Sequence, residues 1–225
     1  MFQILKRVFS SNLKENGTNN IVNNQDFPNC KFAVFGNNNK IIISPNAKIK
    51  GEISVYGNEN IIQIDEETIL HGKIKIGSPA SSYGCKAEGC SLRIGKNVHA
   101  SENLHITLAD DETKVSIGDL SVFEPGIQIL ASDMHSVVDD EGNLLNKASF
   151  VRIGKHVWFG PGCKILKNSV VNDECIVGAA SIITHAFWEP HALIAGTPAK
   201  IIKHNIRWDI LSPNLYEQQQ KEYTT

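Results

Sequence analysis

The stretch Ile153–Ile183, IGKHVWFGPGCKILKNSVVNDECIVGAASII, carries the pattern that decides the fold. Every sixth residue in it is bulky and apolar: Ile153, Phe159, Ile165, Val171, Val177 and Ile183. Four places after each of the first five stands a smaller residue: Val157, Cys163, Ser169, Cys175 and Ser181. A six-residue period is neither that of a helix nor simple strand alternation. It is the period of a parallel β-helix, in which each unit forms one flat face and three faces close a coil. The periodic side chains point inward, and stacking the coils joins them into one apolar column.

Upstream the same beat runs through Ile43, Ile49, Val55 and Ile61, with Ala47 and Ile53 in the secondary position. It slips, resumes at Ile64, Leu70 and Ile76, and continues at Ile94, Ala100, Ile106, Ile117, Phe123 and Ile129. Glycine follows Ile76, Ile94, Ile117 and Ile153, which suits a tight bend or a close backbone approach. The chain is therefore expected to be all-β: a parallel β-helix solenoid over residues 33–196, with looped-out insertions and short terminal helices. Residues 1–32 are expected as an N-terminal cap segment and 197–225 as a C-terminal extension. Phe2, Leu5, Val8 and Phe9 would share one face of an amphipathic helix within residues 1–16, capping the first coil as solenoids require. Peripheral contact with a membrane is the second reading of that segment. The polar tail around Gln218-Gln219-Gln220 reads as a short helix.

Three stretches break the beat. Residues 78–92 are rich in Ser, Gly and Ala and hold Cys85 and Cys90. Residues 109–115 read as a hairpin tip. Residues 131–152 form the longest interruption and contain Asp133, His135, Asp139, Asp140, Asn143 and Asn146. Loops on a rigid scaffold are where binding and catalytic groups concentrate, and interruptions of this length are usually functional.

The 225-residue chain is 41% hydrophobic, enough for a substantial core. A net charge of −2 gives no electrostatic basis for binding nucleic acid. No apolar run approaches a transmembrane helix in length, and the N-terminus lacks a secretory leader. Of five cysteines, Cys163 and Cys175 occupy the small inward position and read as packed free thiols, pointing to a reducing cytoplasm. Cys85 and Cys90 have too few neighbouring ligands for a metal site.

Within the long interruption, Ser132-Asp133-Met134-His135 places an imidazole near the point where the loop leaves the coil. An imidazole titrates near neutrality and is a natural base for a hydroxyl. Asp133 would orient that imidazole or bind an acceptor, together with Asn146. Trp158 falls at an outward position, either packing beneath the adjacent loop or forming the wall of a ligand site. Gly178-Ala179-Ala180-Ser181 leaves one coil surface flat, for a long thin ligand or for a neighbouring subunit. Ala195-Gly196-Thr197-Pro198-Ala199-Lys200 is a turn followed by a base that can meet phosphate. There is no G-x-S-x-G elbow, P-loop or dinucleotide fingerprint, so direct transfer between two bound substrates is simpler than a covalent intermediate.

Taken in order, Ser132–His135, Ile153–Gly160, Ile165–Lys167, Val177–Thr184 and Ala195–Ile202 resemble the hexapeptide-repeat acyltransferases. Among them the chain is most similar to O-acetyltransferases of bacterial capsule, polysialic acid and O-antigen biosynthesis. The resemblance implies a left-handed coil, a homotrimer with active sites between subunits, and acetyl-CoA as co-substrate with no metal required. It implies His135 as the base on a carbohydrate hydroxyl and Trp158 at the donor and acceptor site. It places Trp158, Gly160, Ala179, Ser181, Thr184 and Lys200 along the CoA path. It also implies a cytoplasmic bacterial enzyme. His185 stands where the family commonly has lysine, and Thr197 where it often has asparagine. The alternatives are acetylation of a small molecule such as a sugar nucleotide, serine or an antibiotic, and, more distantly, a zinc carbonic anhydrase-like enzyme.

Overall fold

A computed structural model describes residues 12–23, 26–79, 86–147 and 149–223. They form a left-handed parallel β-helix with a triangular cross-section. The first face is an eight-stranded sheet running from Ile21–Val22 to Ala186–Phe187. A thirteen-stranded sheet covers the other two faces, because the strands Lys48–Tyr56, Ile69–Ile76 and His99–Leu108 bend over the corner between them. At that corner a Cβ on Gly51 would lie 1.9 Å from Gly72 O, and one on Gly72 would lie 1.9 Å from Leu104 O. Only glycine allows the coils to approach so closely there.

Both interlocked positions of the repeat are buried. Phe159, Ile165, Val171, Val177 and Ile183 are sealed from solvent, as are Val157, Cys163, Ser169, Cys175 and Ser181. Phe123 and Phe159 stack one coil apart, with ring centroids 4.9 Å apart. Cys30, Cys90, Cys163 and Cys175 are buried free thiols. Burial pushes the Cys30 thiol up to about 12 and the Cys90 thiol to about 11, and raises Cys163 and Cys175 as well. Cys85 lies outside the described residues.

The beat fails at Ile61, which is 43% exposed while its neighbour Ile62 is fully buried. The cause is coil length: Val34, Val55 and Ile76 stand in register 21 residues apart, three more than three six-residue units would give. The corner before Ile62 is built on asparagine. Asn20, Asn39 and Asn60 stack up the coil axis. Asn39 donates to Asn20 Oδ1 at 3.1 Å and to Gly57 O at 2.9 Å, and its own Oδ1 accepts from Asn60 Nδ2 at 3.0 Å. Asn60 Oδ1 then accepts from Cys90 N. The same inward corner in later coils holds Cys90 and Thr113, each followed two places on by a buried apolar residue, Leu92 and Val115, as Asn60 is by Ile62.

The ends also differ from expectation. Parallel pairing begins at Leu13–Asn16, a strand in register with Phe32–Phe35, so this part of the supposed N-terminal helix is sheet. Residues 1–11, where the rest of that helix was expected, lie outside the described residues. Residues 109–113 make a plain corner turn, not a hairpin tip, and Lys114 already starts a strand. The C-terminal extension begins with a hairpin, Leu193–Gly196 against Ala199–Lys203, and ends in the helix Pro213–Tyr223 that holds Gln218–Gln220. No helix among the described residues is long and apolar enough to cross a membrane.

Because Asn39 is fully buried and its amide joins two coils, removing it orphans polar groups on both sides. Such groups cost about 1–3 kcal/mol each. Asn39→Ala should lower unfolding free energy by about that much, read as a shift in urea midpoint at constant slope.

Candidate active site

The longest insertion leaves the third face after the strand Gln128–Leu130 and returns at Phe150–Ile153 on the first. It thus replaces one corner of the prism. Its root is pinned on both sides. Buried Ser132 accepts hydrogen bonds from Ala109 N at 2.8 Å and Asp110 N at 3.0 Å, tying the loop to the coil below. Asp133 takes the Lys167 ammonium at 2.5 Å from the coil above. Asn146, on the returning limb, donates to Asp133 Oδ2 at 2.9 Å and to the His135 carbonyl at 2.7 Å, and accepts from Val137 N at 2.8 Å. Met134 between them has a φ of 64°, a left-handed conformation that bends the chain between Asp133 and His135.

The structure therefore brings His135, Asp133 and Asn146 together and adds Lys167. Sequence reasoning gave Lys167 no role. Its signals were its place in the Ile165–Lys167 segment of the resemblance and its position at the corner directly above the loop. The Lys167 side chain is 17% exposed, and its hydrogen bond, with help from Asn146, holds the Asp133 carboxyl below the usual carboxylate range. The His135 ring stands exposed at this clamped root.

Beyond the root, the insertion forms a small hairpin. Val138 and Leu144 bridge, Leu145 N donates to Val137 O, and Asp139 caps the turn through Asn143. Its apolar side chains point to solvent: Val137, Val138, Leu144 and Leu145 are all 44–62% exposed.

Trp158 lies elsewhere. It sits on the second face, in register with Val122 and Ile176, and is 36% exposed. His135 hangs from the edge between the third and first faces. In a triangular prism that edge is opposite the second face, so one protomer keeps His135 and Trp158 on opposite sides.

Gly160 and Ala179 sit on the edge between the second and third faces. A Cβ at Gly160 would meet Ala179 N at 2.8 Å, so glycine lets the next coil seat there. Thr197 donates to Ala180 O at 3.4 Å, which folds the C-terminal turn onto the same edge, and Lys200 is exposed on the following strand opposite Ala195. Ser181 is inside the coil. Its hydroxyl donates to Gly178 O at 2.6 Å and accepts from Gly196 N at 3.1 Å, so it locks the corner and leaves Ala179 and Ala180 as the exposed surface. Thr184 falls on a different edge from Gly160, the one that carries His135, because Leu166 stands below it in register.

A second aromatic was not legible in the sequence. Trp208, in the C-terminal extension, stacks on His156 at 4.2 Å and lies 6.0 Å from Trp158. Its Nε1–H donates to the His156 carbonyl at 2.8 Å, while His156 Nδ1 meets Glu174 Oε2 at 2.7 Å. His156, Glu174 and Trp208 border a cavity of about 640 Å³ with Arg207 and Tyr216. Among the described residues no three His, Cys, Asp or Glu side chains converge as metal ligands would.

Comparison with known proteins bears on this arrangement. No family model matches the chain. A polysialic acid O-acetyltransferase of Neisseria meningitidis is 33% identical over 200 residues, 86% of this chain and 87% of that one. The crystal structure of the polysialic-acid-specific acetyltransferase NeuO superposes with a TM-score of 0.75 at 24% identity, covering 92% of this chain and 96% of its own. That of the polysialic acid O-acetyltransferase OatWY gives 0.63 at 26% identity, covering 93% and 96%.

The Asp133 clamp makes its own prediction. Its folded pKa lies below the unfolded value of about 3.9, so its contribution is complete above that pH and is lost as pH falls through the lowered value. Lys167→Met should return the Asp133 pKa toward about 3.9, seen by carboxyl NMR titration, and should speed proteolysis of the hairpin at neutral pH.

Proposed function

This chain belongs to the hexapeptide-repeat O-acetyltransferases, and we propose that it moves an acetyl group from acetyl-CoA to a hydroxyl of a bacterial surface polysaccharide. That it is an acyltransferase follows from the family. The observation that carries the substrate class is the match along nearly the whole chain to an enzyme named for polysialic acid. Acetyl-CoA as donor places the enzyme in the bacterial cytoplasm, in keeping with its reduced, buried thiols.

His135 is the general base in this reading. Its neutral imidazole takes the proton of a sugar hydroxyl as the oxygen attacks the thioester carbonyl. The tetrahedral oxyanion collapses, the C–S bond breaks, and CoA leaves as a thiolate that recovers the proton from the imidazolium. General-base assistance of this kind is worth about a hundred- to ten-thousand-fold. Asp133 and Asn146 act as positioning residues, since their polar groups are engaged in holding the loop root. The CoA arm runs along the edge of Gly160, Ala179 and Thr197, with Lys200 toward its phosphates. Trp158 forms a wall of the site.

The site is completed by a second copy. Two observations support this: His135 and Trp158 occupy opposite sides of one prism, and the hairpin beyond His135 exposes four apolar side chains suited to a neighbour. A closed ring of three copies satisfies every such heterologous contact, and a homotrimer is the assembly we infer.

Two experiments test these assignments. His135→Ala should abolish thiol release from acetyl-CoA with polysaccharide while leaving acetyl-CoA affinity nearly unchanged by calorimetry; joint loss of both would remove His135 as base. His135→Ala and Trp158→Ala proteins, each inactive alone, should recover about a quarter of wild-type activity when co-refolded in equal amounts, because that share of shared sites draws both intact residues. No recovery from a co-assembled trimer would mean that each site belongs to a single chain.

A further inference from the structure

At the N-terminal half of the solenoid, the edge between the third and first faces repeats a three-residue unit: Phe35-Gly36-Asn37 and Tyr56-Gly57-Asn58. Phe35 and Tyr56 are in register on neighbouring strands, and their rings stack with centroids 5.1 Å apart and planes within 3°. The glycines after them are fixed by packing. A Cβ on Gly36 would lie 1.9 Å from Gly57 O, at a φ of +129°. Asn37 and Asn58 are cross-linked, Asn37 N donating to Asn58 Oδ1 at 2.8 Å. The result is a rigid aromatic ladder with amides at its side.

The ladder stops above Tyr56. The register Val55–Ile76 puts Gly77 next in that row, and glycine offers no ring to continue the stack. There the chain departs, and the coil resumes at Ala87, whose N–H reaches Tyr56 O at 3.0 Å. The half-buried rings of Phe35 and Tyr56 line a cavity of about 520 Å³, bordered above by Ser78, Pro79 and Lys86. An aromatic face presented where the next rung is missing attracts the polarised C–H face of a pyranose ring, since the π-face is the ring's negative side.

The same edge leads to His135. In register, Tyr56 is followed by Gly77, Ala109 and then Ser132, the root of the catalytic loop. Three coil steps separate Tyr56 from Ser132, roughly 14 Å along the axis. That is a reach of a few sugar units, and it lies on one straight edge.

We propose that Tyr56, supported by Phe35, is a distal subsite that stacks a sugar ring of the acceptor polymer while another unit of the same polymer reacts at His135. This rests on the polysaccharide reading given above. Among the described residues, the edge between the two points carries Glu88, Asp111 and Glu112, with Asn58 Nδ2 bound to the Glu88 carboxylate at 2.8 Å. The sugar on Tyr56 is therefore held through its C–H face and hydroxyls, not through negative charge.

The test compares initial rates on a long polysaccharide and on a short oligosaccharide of the same repeat, for wild type, Tyr56→Leu and Tyr56→Phe. Tyr56→Leu keeps an apolar side chain for packing but removes the ring; Tyr56→Phe keeps the ring. We expect Tyr56→Leu to raise KM for the long polymer about three- to tenfold relative to KM for the short one, with Tyr56→Phe matching wild type. Equal KM ratios in all three proteins, with the wild type active on polymer, would overturn the subsite and leave the polysaccharide reading intact. A wild type that acetylates small sugars but no polymer would overturn the polysaccharide reading itself, and the subsite with it.

Discussion

Each coil must accept its own successor directly above it. Parallel, in-register stacking repeats every position at one strand spacing of about 4.8 Å, so a residue is viable only if it tolerates a near copy of its surroundings overhead. Apolar side chains meet this condition by packing into a column, as Phe123 does on Phe159. Amides meet it by hydrogen bonding upward, as Asn20, Asn39 and Asn60 do. Where backbones must touch, only glycine meets it, as at Gly36, Gly51 and Gly57. Extra residues can leave only at corners, where the chain turns anyway.

The edge that carries His135 follows from that constraint. Because the long insertion replaces a corner, its root is flanked by the corners above and below, and each supplies an anchor. Ser132 is tied downward to Ala109 and Asp110, and Asp133 upward to Lys167. The imidazole of His135 thus stands two residues from a carboxylate locked to the rigid body, although the loop beyond it is a solvent-exposed hairpin. The clamp is electrostatic and buried on one side, so it orients the loop without blocking the ring.

A triangular solenoid also divides the labour of its faces. The edge carrying His135 is opposite the face carrying Trp158, whereas the flat edge of Gly160 and Ala179 borders that face. No bending of a single stiff prism brings His135 to Trp158. In the homotrimer proposed above, lateral association of prisms does, and the exposed apolar hairpin mediates it. Trp208 adds a further aromatic next to Trp158 by folding the C-terminal extension back across His156.

The sequence alone determined the solenoid, its six-residue beat, the two insertions after Gly77 and Ala131 and the place of His135 in the longer one, because one-dimensional repetition prints its period directly on the chain. It also read an insertion at 109–115 where the structure has a plain corner turn. It misplaced Ile61, since the coils there are 21 residues long and a strict six-residue count drifts out of register with them. It assigned a strand to a helix at Leu13–Asn16, where a few alternating residues fit either period. It suggested a donor contact for the Ser181 hydroxyl that the fold instead turns inward to Gly178 and Gly196. Lys167, Trp208 and the Phe35–Tyr56 ladder emerged only in three dimensions. Each gains its meaning from a partner more than fifteen residues away, and which residue lies above which depends on the length of every coil and insertion between them.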